Sequence, residues 1–147
     1  MLGALRGPDY ALMKSLLIVT AAVETATGLV LLGLPLLVVS LLLGGSLDTP
    51  AALVVARVTG AALLALGVAC WLARNDGKSR GAVALVTAMS LYNVTTVSIL
   101  AYAGISAGLS GIGLWPAVLL HMALAVWCIA CLRTSQMNQS TAATKQR

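Results

Sequence analysis

Four side chains interrupt long runs of Leu, Val, Ala and Gly in this sequence with chemistry that an apolar setting resists: Glu24, Arg57, Asn93 and His121. An Arg or Asp at the centre of a bilayer costs about 2.5 to 3.5 kcal/mol on insertion scales, so each is expected to face a bundle interior, a water pocket or a partner. Counting a 1.5 Å rise per residue from Lys14, Gly81 and Arg133 puts Glu24 about 15 Å, Asn93 about 18 Å and His121 about 18 Å from one edge. Three separate apolar runs thus bring polar groups to one level. Thr20, Glu24 and Thr27 share a helix face at i, i+4 and i+7, and Ser90, Asn93 and Thr96 fall within an arc of about 120°. Ala117 and Ala125 flank His121 and leave room beside its ring. The expected site is a polar layer of Glu24, Asn93 and His121. With water present, it could exchange a proton or hold a polar ligand, with Asn93 donating to Glu24. If it is dry, the same groups only hold helix register, at about 0.6 to 2 kcal/mol per contact.

Arg57 sits about 25 Å from the same edge, counted back from Arg74. Three roles are open to it: snorkelling to outer headgroups, pairing with Glu24 across about 10 Å of depth, or holding an anionic ligand head. The remaining candidates argue for less. Cys128 and Cys131 have the spacing of a thiol redox pair, and Cys70 falls at similar depth, but no strand-to-helix context accompanies them, so they read as small hydrophobes. A single His supports neither bis-histidine haem ligation nor a multi-histidine metal site, so no metal is expected and a cofactor cannot be named. No phosphate-binding loop or dinucleotide fingerprint is present, and no set of nucleophile, base and orienter can be recognised, so no catalytic residue is assigned.

The elements that position these residues follow from composition. The chain has 147 residues, 60% hydrophobic and 9% charged, against about 25% charged in a soluble domain, and its mean hydropathy is +1.00. Four apolar stretches, Met13 to Gly33, Pro50 to Leu72, Gly81 to Ala103 and Trp115 to Leu132, each approach the ~20 residues a helix needs to cross ~30 Å of hydrocarbon. The first runs on past Glu24 to Leu34, longer than the ~7 to 15 apolar residues of a signal peptide, and is read as a retained span. The predicted fold is all-α: a four-transmembrane-helix antiparallel bundle over residues 1–133, followed by a disordered cytoplasmic tail at 134–147 rich in Ser, Thr, Gln and Asn.

Charge supplies an orientation. Arg6, Lys14, Arg74, Lys78, Arg80, Arg133, Lys145 and Arg147 all flank one side of a four-span threading, and the loops 44–49 and 104–114 on the other side hold no Lys or Arg. Because basic residues near span ends stay cytoplasmic, both termini and the loop around Lys78 are expected inside. The net charge of +5 is scattered beside spans without aromatic interleaving, which excludes nucleic acid and points to membrane lipids as partners.

Local signals place the breaks. Gly33 and Pro35 should end the first span. Leu36 to Leu43 is too short to cross, and is read as a short interfacial helix between the first two spans in preference to a kinked extension. Thr49 and Pro50 should open the second span, and Asn75-Asp76-Gly77 should close it in a left-handed residue. Ala56, Gly60, Ala61, Ala65 and Gly67 predict that the second span packs at the centre of the bundle, since small side chains let membrane helices approach closely. Trp115 and Pro116 should start the fourth span; Trp115, Trp71 and Trp127 read as interfacial anchors.

The run Arg57-Val-Thr-Gly60-Ala-Ala-Leu63-Leu64-Ala-Leu66-Gly67 resembles one in small bacterial four-helix inner-membrane proteins and, more distantly, the layout of DoxX-like proteins. The resemblance implies a four-helix bundle in a bacterial inner membrane and carries over no catalytic residue. Together these readings predict a small-molecule-binding protein or an accessory subunit of a larger membrane complex or homo-oligomer. The alternative is a small transporter or proton conductor using Glu24 and His121.

Overall fold

A computed structural model describes the backbone of residues 8–77 and 79–145 and the side chains of 10–77 and 79–134. Arg6, Lys78 and Arg147, and the loop position expected at Lys78, lie outside the described residues. The described chain is all-helical: α1 (Pro8–Gly33), α2 (Pro35–Leu43), α3 (Pro50–Ala73), α4 (Arg80–Ile105) and α5 (Leu114–Lys145). Four stretches, Tyr10–Gly33, Pro50–Ala73, Arg80–Ile105 and Leu114–Thr134, are long and apolar enough to cross a bilayer. Large apolar side chains such as Val55, Leu72, Leu91, Ile99 and Leu119 stand exposed on their outer faces, as lipid-facing helices require. The chain is a multi-pass membrane protein.

The helix boundaries follow the local chemistry. Leu34 leaves the helical region at φ −130°, ψ 55°, and Pro35, which has no N–H to satisfy, opens α2 as a separate nine-residue helix too short to span. Gly44 closes it at φ 70°, donating its N–H to Ser40. Thr49 Oγ1 accepts from the Ala52 N–H at 3.1 Å to cap α3, and Ser79 caps α4 through Ala82 in the same way. Gly77 takes the left-handed φ of 63° expected after α3. The helical backbone of α5 runs on to Lys145, across the segment whose composition reads as disordered. A long preformed span supplies the nucleus from which further turns propagate without a new nucleation cost.

α1 and α3 form one antiparallel pair, α4 and α5 a second; α1 also touches α5, whereas α3 meets α4 only slightly. The second span is therefore not the central element that its small residues predict: α1 is. The small residues do produce a close contact, on one face only. A Cβ on Gly28 would come within 2.7 Å of the Gly60 carbonyl oxygen, and a Cβ on Gly60 within 2.9 Å of the Gly28 carbonyl. Only glycine allows these two backbones to meet. Ala61 and Ala65 face outward instead.

Toward the end marked by Lys14, Arg74, Arg80 and Arg133, one apolar cluster unites all four spans: Met13, Leu16, Leu17 and Ala21 of α1, Cys70 of α3, Ala82, Val86 and Met89 of α4, and Leu124, Cys128 and Cys131 of α5. The three cysteines are free thiols buried in it. Toward the other end the core divides. Leu31, Ala56 and Leu63 pack between α1 and α3, and Leu100, Leu114 and Val118 between α4 and α5.

Candidate ligand-binding cleft

The gap between the divided cores is a cleft of about 460 Å³. Its walls come from Val23, Glu24, Thr27 and Leu31 of α1, Ala56, Thr59 and Leu63 of α3, Tyr92, Thr96 and Leu100 of α4, and Ala117, Leu120 and His121 of α5. Val38, Val39 and Leu42 of α2 close it over. The loop before α5 holds α2 there: the Gly113 N–H donates to the Leu41 carbonyl at 2.8 Å, and Gly111 lies against the Leu41 and Leu42 backbone with no space for a Cβ. A smaller recess of about 340 Å³ adjoins the cleft, shares Thr27, Val38 and Leu42 with it, and passes between α1 and α2.

Glu24, Asn93 and His121 lie where the united core ends and the cleft begins. Asn93 is fully buried; its Nδ2 donates to the Met89 carbonyl at 2.7 Å, one turn back, and its Oδ1 stands 2.7 Å from His121 Nδ1. With the amide so oriented, Oδ1 can only accept, so His121 carries a proton on Nδ1, and in the neutral ring Nε2 is then an acceptor. Glu24 is 1% exposed. Its partner is not Asn93 but Tyr92, whose hydroxyl donates to Oε2 at a long 3.5 Å. The Tyr92 ring meets His121 edge-on, with centroids 5.7 Å apart at 81°. Tyr92 therefore links the two halves of the expected layer, and the three predicted residues form one contiguous group through it.

Two polar atoms in this layer are buried without a hydrogen-bond partner: Oε1 of Glu24 and Oγ1 of Thr20, one helical turn apart on α1. Buried polar groups are nearly always paired, and an unpaired one costs about 1 to 3 kcal/mol, so these two atoms are candidates to meet a ligand, an ion or water. Thr27 and Thr96 of the two predicted polar faces line the cleft above.

Arg57 does not join the layer. It is exposed on α3 and outside the cleft lining, and the Glu24 carboxylate reaches Tyr92 rather than any cation. Its neighbours Ala56 and Thr59 take the cleft-facing positions, which leaves residue 57 on the outer surface of the helix. Among the described residues no group of three or more His, Cys, Asp and Glu could hold a metal. Tyr92 is the residue that sequence reasoning missed. Its signal is a lone phenol beside Asn93 in mid-span, far from the interface where tyrosine anchors usually sit.

No protein-family model, curated protein or solved structure matches the chain.

Proposed function

We propose that this protein binds a small amphipathic molecule in the cleft between its two helix pairs, alone or as an accessory subunit of a larger membrane complex. The observation that supports it most is an apolar cavity ending on a buried carboxylate with one oxygen unpaired. Ligand sites combine a mostly apolar lining with a few polar groups that orient the ligand, and this cleft has that composition. The charge pattern supports cytoplasmic termini, and the resemblance of the α3 run supports a bacterial inner membrane, whose outer half the cleft would then occupy. The recess between α1 and α2 would then admit the ligand sideways from lipid.

The united core speaks against proton conduction. Beneath Glu24 the only polar side chains among the buried described residues are Thr20 and three weakly polar cysteine thiols, set among tightly packed Leu16, Leu17, Val86, Met89 and Leu124, whereas a conductor needs a connected chain of polar groups or water on both sides of its carboxylate.

Purification from native membranes in mild detergent, followed by mass spectrometry of the extracted small molecules, tests the binding reading. The wild-type protein should retain an amphiphile that Ala117→Trp, which fills the cleft from α5, releases. Recovery of the same molecules in equal amounts from both proteins would refute it. Orientation is tested separately with a membrane-impermeant thiol reagent, which the buried native cysteines do not meet. Ser110→Cys should react from outside in intact cells and Asp76→Cys only after lysis; the reverse pattern would invert the threading.

A further inference from the structure

Resting on the cleft reading above, we infer that the ligand is a lipophilic amine bound as its ammonium ion, its head replacing the Tyr92 hydroxyl on Glu24 and its hydrocarbon lying among Leu31, Leu63 and Leu100. Three observations lead there. The first is a missing counter-charge. No Lys or Arg lines the cleft; His121, which does, is engaged with Asn93 rather than Glu24, Arg57 of α3 is exposed outside it, and Lys14 of α1 sits about 15 Å further down that helix. A carboxylate withdrawn from water is stabilised only by a proton or by a cation at close range, and the described residues supply no such cation.

The second observation is the sign of the hydrogen-bonding groups. Glu24 Oε2, now covered by the Tyr92 hydroxyl, accepts, and so does Nε2 of neutral His121 with Nδ1 committed to Asn93, while Oε1 lies buried behind without a partner. Thr59 donates its hydroxyl proton to the Val55 carbonyl, and the phenol oxygen of Tyr92, once displaced from Glu24, can itself accept from the ligand head. A ligand head rich in donors fits this floor, and an ammonium group offers only donors. A carboxylate or phosphate head would meet a like charge with no base to offset it.

The third is the weakness of the contact that covers Glu24. At 3.5 Å the bond from Tyr92 is the longest in the layer, against 2.7 Å for each bond of Asn93, and it is near the limit at which such a bond retains strength. A charge-assisted N–H to carboxylate bond is about twice as strong as a neutral one, so an arriving ammonium displaces the phenol without breaking the Asn93 and His121 pair.

Binding is measured on the full-length protein in nanodiscs of phosphatidylcholine, a zwitterionic lipid, with three probes of one chain length: decylammonium, decanol and decanoate. Decylammonium is expected to bind saturably, about tenfold or more tightly than to Glu24→Gln, with neither decanol nor decanoate approaching it. Decanol or decanoate binding as tightly as decylammonium, or wild-type decylammonium affinity in Glu24→Gln, overturns the cation assignment. If Ala117→Trp still abolishes probe binding in those cases, the cleft reading stands. Saturable binding by none of the probes, or binding that Ala117→Trp leaves unchanged, overturns both. Should Glu24→Gln fail to fold, Tyr92→Phe decides the matter: it keeps the ring against His121 and removes the competing hydroxyl, so decylammonium affinity should rise. An unchanged or lower affinity would overturn the displacement.

Discussion

The two halves of the bundle are built from the same four spans and behave as different materials. In the half carrying Lys14, Arg74, Arg80 and Arg133, side chains from every span interlock in one cluster with almost no exposure. In the other half the same helices separate into two packed pairs, and α2 bridges the space between them. The polar layer of Glu24, Tyr92, Asn93 and His121 marks the boundary. One half supplies cohesion, and the other leaves the space that the proposed ligand would occupy. A membrane bundle has little hydrophobic drive to close a cleft, because lipid tails are as apolar as its walls.

If this division is correct, truncations of equal size should have unequal effects in the two halves. Leu17→Ala, in the united cluster, should lower stability in detergent by about 2 to 5 kcal/mol, the usual cost of a cavity in a close-packed core. Leu120→Ala, exposed in the cleft wall, should change it by less than about 0.5 kcal/mol. Equal losses in thermal or denaturant unfolding would show that both halves are packed alike. Within the cleft half, cohesion depends on the α1–α3 backbone contact. Gly60→Leu should cost about 1 to 3 kcal/mol, because the Gly28 backbone opposite cannot yield as a flexible side chain would. A melting temperature equal to wild type would place residue 60 toward lipid.

An effect between those of Leu17→Ala and Leu120→Ala is expected at the boundary. Asn93→Ala removes an intrahelical bond to the Met89 carbonyl and the interhelical bond to His121 Nδ1, and an interhelical bond of this kind is worth about 0.6 to 2 kcal/mol in a membrane. Stability should fall by about that amount, and any bound ligand should weaken as His121 loses its orientation. Stability lost with ligand binding intact would reduce the layer to a device for helix register.

Much of this was legible in the chain itself. The four spans, the break at Pro35, the Thr49 cap and the left-handed turn at Gly77 each depend on a few consecutive residues, and local dihedral preferences decide them. The common depth of Glu24, Asn93 and His121 was also within reach, because position along a helix is linear in residue number. What the line of residues could not supply is which helices become neighbours and which way each side turns. Thus Gly60 and Gly67 foretold a close approach, but only the assembled bundle chose α1 as the partner and left Ala61 and Ala65 outside. It likewise excluded Arg57 from the layer and reached Glu24 through Tyr92 rather than Asn93. Depth is set by the rise of one helix, whereas rotation and pairing are set by contacts between residues far apart in sequence, so the level of the polar layer belongs to the sequence and the cleft above it to the tertiary structure.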